Sequence, residues 1–185
     1  MTHPTASPNE DNVPIKRPPV GPPEAIEVVI EIPKESRAKY EIDHDTGEVW
    51  LDRVLFTATR YPENYGFVPN SHAGDGDPLD VLVLMDEPLF PGCHMFARPV
   101  AVLEMRDEAG PDAKVLAVPY GDPRWAHVVD IDDIPELLRS EIHHFFEVYK
   151  ALEPGKSTET SSWGGRDRAF ELVREALIRA ALKEH

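Results

Sequence analysis

The stretch "AIEVVIEIP", residues 25–33, decides how the rest of the chain is read. Ile26, Val28, Ile30 and Ile32 recur at every second position, so they share one face of an extended segment, while Glu27, Val29 and Glu31 share the other. Similar short segments follow. In "AKYEIDH" (38–44), Tyr40 and Ile42 point one way and Lys39 and Glu41 the other. "DTG" (45–47) is a turn signal, and "EVWLDRVLF" (48–56) reads as the returning strand. "VLVLM" (81–85), "PVAVLEM" (99–105) and "KVLAVP" (114–119) are further strands, divided by Pro, Gly and Asp. There is no repeat period and no βαβ alternation. Several short strands at this spacing predict a small barrel or closed sheet.

The C-terminal third is helical. "DIPELLRSEIHHFFEVYKALEPG" (133–155) offers Asp133 as a cap, Pro135 in the first turn, Leu138, Ile142, Phe145 and Tyr149 at helical spacing, and Gly155 as a stop. "DRAFELVREALIRAAL" (167–182) is a second amphipathic helix, with Phe170, Val173, Leu177 and Ala180 on one stripe, and reads as packing only. The fold class expected is therefore mainly β with two helices.

Residues 1–24 hold seven prolines and few large apolar residues, which predicts an extended or disordered tail, leaving residues 25–185 as one domain. A length of 185 residues suits a single core. No apolar run is long enough for a bilayer span, and no secretory h-region opens the chain. The single cysteine, Cys93, precludes an internal disulfide and fits a reducing cytoplasm. A net charge of −15 opposes nonspecific binding to nucleic acid or an anionic membrane, but not to an anionic substrate if bound cations reverse the local sign.

Chemistry concentrates in "DGDPLD" (75–80), which places Asp75, Asp77 and Asp80 directly before an apolar strand. Carboxylates this close repel one another, and desolvation adds to the cost, so a metal ion is the natural counter-charge. An EF-hand loop is excluded, because Leu79, Asp80 and Asp86 stand where a third ligand, Gly and Glu are required. A second acidic loop, "RDEAGPDAK" (106–114), carries Asp107 and Asp112 and by itself would be an ordinary hairpin tip. Strand ends meet at one rim of a small barrel, so the five aspartates can converge there. Oxygen-only ligands favour Mg²⁺ or Mn²⁺ over Zn²⁺, and no paired-cysteine or H-E-x-x-H spacing argues otherwise. His143 and His144 read as surface or interface residues. Lys39, Arg53, Lys114 and Lys150, with Tyr61, Tyr65 and Tyr149, supply the donors that hold phosphoryl oxygens.

Six blocks in order, "VVIEIP", "KYEID", "DRVLFTATRYPENYG", "DGDPLDVLVL", "DEAGPDAKVLAVP" and "HHFFEVYKALEPGK", closely resemble the soluble family I inorganic pyrophosphatases of bacterial type. The resemblance runs from about residue 26 to residue 156; the proline-rich start and the stretch after Lys156 carry little of it. It implies a compact, highly twisted five-stranded barrel of OB-like form with two flanking helices. It implies Mg²⁺-dependent hydrolysis of pyrophosphate to two phosphates, and a homo-oligomer, commonly a hexamer. By position, Asp75, Asp80 and Asp112 resemble the first metal site, with Asp80 bridging to a second. Asp107 and Asp112 resemble ligands of a metal that arrives with substrate. Glu41 resembles the carboxylate near a fourth, and Glu31 an acid acting through waters. Asp77 resembles the general base. Lys39, Arg53, Lys114, Tyr149 and Lys150 resemble the phosphate-holding groups, and Tyr65 an active-site tyrosine with Tyr61 beside it.

Two rivals start from the same features. An OB-type single-strand binder would need a basic groove with interleaved aromatics, which the net charge of −15 opposes. A different metal-dependent phosphohydrolase, one acting on nucleotides, differs in substrate alone.

Overall fold

The computed structural model describes residues 16–108 and 110–183. Its strands are β1 (Ile26–Ile32), β2 (Ala38–Ile42), β3 (Val49–Val54), β4 (Asn64–Val68), β5 (Leu79–Val83), β6 (His94–Asp107), β7 (Gly110–Pro111), β8 (Lys114–Pro119) and β9 (Thr158–Gly165). Its α-helices are α1 (Glu136–Val148) and α2 (Arg166–Lys183). The first fifteen residues of the proline-rich segment lie outside the described residues. Within the remainder, Pro23 is buried and the Arg17 guanidinium stands 5.9 Å from the Phe96 ring centroid.

Five strands close into the twisted ring that the sequence predicts. Around it the order is β1, β4, β5, β8 and β6, and β6 returns to pair with β1. All contacts are antiparallel except that of β5 with β8, where Val81, Leu82 and Val83 run alongside Val115, Leu116 and Ala117. Closure depends on the length of β6. Its start pairs with β1 through His94–Ala97, its middle with β8, and its end with β9 through Ala101–Asp107. The register slips between Pro99 and Ala101, beside a proline that has no N–H to give to a ladder. At the β1–β4 crossing, a Cβ on Gly66 would meet the Val29 carbonyl oxygen at 2.0 Å, so only glycine lets these backbones approach.

Both faces of these strands are buried, which explains their continuous apolar runs. Alternation divides them between two cores. Leu82, Leu84, Leu116 and Val118 join Ile142, Phe145 and Phe146 of α1. Val81, Val83, Val115 and Ala117, with Ile26, Val28 and Ile30, join Ala169, Val173 and Ala176 of α2. The β2–β3 hairpin forms a separate two-stranded sheet outside the ring, with Trp50 and Leu51 exposed.

Several local expectations change. Asp133 does not cap α1: its Oδ2 accepts from the N–H groups of Val129 (2.8 Å) and Asp130 (3.0 Å), closing the turn before the helix. Pro135 holds the cap position of α1, without a side-chain hydrogen bond. The helix stops at Val148, ahead of Gly155, which turns the following loop at φ +73°. The buried stripe of α2 is Ala169, Val173, Ala176 and Ala180, with Phe170 and Leu177 at its margins. Three strands were not legible. The two-residue β7, Gly110 and Pro111, reads as the tip of a hairpin. β4 hides in "NYGFV", interrupted by the glycine its crossing requires, and β9 ("TETSSWGG") has almost no apolar alternation.

Candidate active site

The rim of the ring forms a cleft of about 340 Å³. Chain topology brings its walls together from distant segments. Glu31 comes from β1, Tyr65 from β4, Asp80 from β5, Asp107 from the end of β6, and Lys114 from the start of β8, with Asp112 just before it. The hairpin contributes Lys39, Glu41 and Arg53, and the β4–β5 loop contributes Asp75 and Asp77. Tyr149 and Lys150 descend from the end of α1. Thus Asp75, Asp77, Asp80, Asp107, Asp112, Glu31, Glu41, Lys39, Arg53, Lys114, Lys150, Tyr65 and Tyr149 all line one cavity.

At its centre, the Lys114 Nζ donates to Asp80 Oδ2 and to Asp112 Oδ1, each at 2.5 Å, and to the Tyr65 hydroxyl at 3.2 Å. Lys114 is only 3% exposed. Burial acts to lower this ammonium, but Asp80 and Asp112 outweigh it and hold its pKa above the ordinary value. Asp112 is raised, chiefly by burial, with Lys114 opposing and Asp80 adding. Glu31, also buried, accepts from the Ile42 N–H at 3.0 Å; desolvation still pushes its pKa from 4.5 up to about 7, helped by the charge of Asp80. Burial raises Tyr65 and Tyr149 well above the usual phenol range, so both remain neutral donors.

Around the rim, Lys39 Nζ contacts Glu41 and reaches Asp52 Oδ2 at 3.1 Å. Arg53 pairs with Asp52 on one side and Glu153 on the other. Lys150 reaches Asp107 Oδ2 at 3.1 Å, and Lys156 reaches Glu108 Oε1 at 2.7 Å. Asp77 is exposed, and its backbone is pinned: its N–H donates to Asp75 Oδ1 at 3.1 Å and its carbonyl accepts from the Ala73 N–H at 2.7 Å.

Seven carboxylates line the cleft (Glu31, Glu41, Asp75, Asp77, Asp80, Asp107 and Asp112) against five Lys and Arg side chains (Lys39, Arg53, Lys114, Lys150 and Lys156). The excess is negative. Among the described residues, no three His, Cys, Asp or Glu groups are drawn together tightly enough to hold one ion as they stand. The Lys114 ammonium instead occupies the space between two of the carboxylates.

Three lining residues with polar side chains received no role from the sequence: Lys156, His44 and Tyr40. Lys156 and Tyr40 sit inside family-like blocks, yet nothing in their spacing separates them from solvated neighbours. His44, whose ring lies edge-on to Phe67 at 4.8 Å, follows such a block. Tyr61 is buried behind the cleft, between Tyr65 (5.4 Å) and Phe145 (4.7 Å). His143 and His144 lie on α1 away from the cleft, with His143 3.6 Å from Glu147.

Comparison with known proteins agrees with this geometry. A family model described as inorganic pyrophosphatase matches residues 28–181, so the likeness extends through β9 and most of α2, past the limit near residue 156 drawn from the sequence. An inorganic pyrophosphatase of Leifsonia xyli is 55% identical over 161 residues, covering 87% of this chain and 99% of that protein. One from Streptomyces coelicolor is 58% identical over 143 residues, covering 77% and 88%. The crystal structure of an inorganic pyrophosphatase from Thermus thermophilus aligns with a TM-score of 0.85 at 49% identity, covering 88% of this chain and 96% of that one.

Proposed function

Because the chain belongs to the inorganic pyrophosphatase family and is accordingly a hydrolase of pyrophosphate, we propose that hydrolysis takes place in this cleft, with Asp77 as general base. The observation that carries the assignment is the charge balance. Seven carboxylates against five cations repel a pyrophosphate anion, so the substrate enters only with added positive charge.

The donor set fits hard divalent ions. It is all oxygen, two of its members (Glu31 and Asp112) carry raised pKa values from burial and like charge, and a cation already stands between Asp80 and Asp112. Asp75, Asp80, Asp107 and Asp112, supported by Glu41 and Glu31, would hold Mg²⁺, with Mn²⁺ as a substitute. When bound, the ions neutralise phosphoryl charge and acidify a water molecule.

The chain's own groups do the rest. Asp77 is exposed to the cleft and fixed by its backbone hydrogen bonds, so its carboxylate can orient a water and accept its proton. The water oxygen bonds to one phosphorus as the bridging P–O bond breaks, and the second phosphate leaves with the bridging oxygen. Lys39, Arg53, Lys114 and Lys150 meet the charge that develops on it, and the neutral Tyr65 and Tyr149 hydroxyls donate without adding charge. Lys114 has all three N–H groups engaged, so it exchanges one partner for a phosphoryl oxygen.

The same reading takes residues 25–185 as one catalytic domain in a cytoplasmic homohexamer, with no nucleic acid or membrane partner. No helix among the described residues is long and apolar enough to cross a membrane. Sedimentation velocity measures the assembly. The deciding assay is orthophosphate release from pyrophosphate with Mg²⁺, without it, and with a chelator. Release that needs the ion, with little from ATP, supports the proposal. Release unaffected by chelation, or faster from ATP, overturns it.

A further inference from the structure

The side chain that aims Arg53 comes from 100 positions later in the chain. Arg53 Nε donates to Glu153 Oε1 at 3.0 Å, and a terminal nitrogen of the same guanidinium lies 3.0 Å from Glu153 Oε2. This is a side-on, two-point fork, the geometry that fixes both the position and the plane of a guanidinium. The Glu153 side chain is 7% exposed and is not part of the cleft wall.

Arg53 needs such a hold. Its strand lies in the hairpin outside the ring, where Val49, Trp50, Leu51 and Val54 are all exposed. Its other carboxylate partner, the adjacent Asp52, has a side chain 34% exposed and also serves Lys39. Without Glu153, the guanidinium keeps its one-point contact with the half-exposed Asp52, which does not fix its plane. With it, the fork takes the Nε edge and leaves N–H groups of the terminal nitrogens for the cleft. Hydrogen bonds tie Glu153 to the cleft wall: its N–H donates to the Lys150 carbonyl at 2.9 Å, and the Lys150 side chain is held by Asp107 at 3.1 Å.

We propose that Glu153 is a positioning residue of this enzyme, acting on catalysis only through Arg53. The proposal rests on the reading of Arg53 as a phosphate-holding group. It is tested by steady-state kinetics on Arg53→Ala, Glu153→Gln and the double variant, with urea midpoints for each. Glu153→Gln keeps the size and one acceptor but loses the charged fork; kcat/KM falls about tenfold to a hundredfold, with a raised KM contributing. In the Arg53→Ala background the same change has no further effect on kcat/KM, an outcome that a loss of stability alone does not produce.

If Glu153→Gln stays within about twofold of the parent while Arg53→Ala is impaired, the inference is wrong and the role of Arg53 stands. Losses that multiply in the double variant also overturn it. If Arg53→Ala itself keeps the parent kcat/KM, the reading of Arg53 fails, and the inference with it. Glu153→Asp, which keeps the charge but shortens the reach, serves the same cycle with the same outcomes should Glu153→Gln not fold.

Discussion

Lys114 Nζ stands 2.5 Å from Asp80 Oδ2 and at the same distance from Asp112 Oδ1, so one buried ammonium is all that separates two carboxylates. Removing one partner of a buried charge cluster leaves the others uncompensated. Lys114→Met is expected to lower stability by about 3 kcal/mol in chelator. Mg²⁺ should recover part of that loss, since an ion can take over the counter-charge. Urea midpoints with EDTA and with Mg²⁺ check this, and equal losses in both conditions contradict it.

Asp77 and Asp80 sit three positions apart with different surroundings: Asp77 is exposed, and Asp80 is bound to Lys114. Asp77→Asn should cut kcat by roughly 10² to 10⁴ with little change in Mg²⁺ affinity. Asp80→Asn should weaken Mg²⁺ binding more. Calorimetric titration of both variants decides the point, and identical metal affinities dismiss this division of labour.

Glu31 gives a pH dependence whose sign is fixed. Its folded pKa, about 7, lies above the ordinary 4.5. The stability it contributes is therefore complete below about pH 4.5 and is lost as pH rises through about 7. In EDTA, Glu31→Gln should flatten the fall in stability between pH 5 and pH 8 by up to about 3 kcal/mol relative to the parent. Parallel curves for the two proteins would refute the assignment. The comparison with the parent matters, because the overall charge of −15 also disfavours the compact state at high pH.

Gly66→Ala tests ring closure. The new methyl would lie 2.0 Å from the Val29 carbonyl oxygen, an approach no backbone shift within the ladder relieves cheaply. A loss of about 4 kcal/mol or more is expected, with little folded protein recovered. A urea midpoint within experimental error of the parent would show that β1 and β4 separate more easily than their register indicates.

Alternation was enough to find β1, β2, β3, β5 and β8 and the middle of β6, because a half- or fully buried strand must repeat its apolar residues with period two. The aspartate spacing and the six family-like blocks were equally local, and they named thirteen residues that now share one cleft. The sequence could not show that β6 runs to fourteen residues and pairs with four other strands, nor that polar "TETSSWGG" becomes a strand, since both follow from the partners available and not from intrinsic pattern. The fork between Glu153 and Arg53, and the ammonium lodged between Asp80 and Asp112, were beyond its reach for the same reason. Residue type and spacing determine which groups exist and which face each strand buries. Which charges meet depends on strands closing into a ring, and ring closure juxtaposes segments that no local period connects.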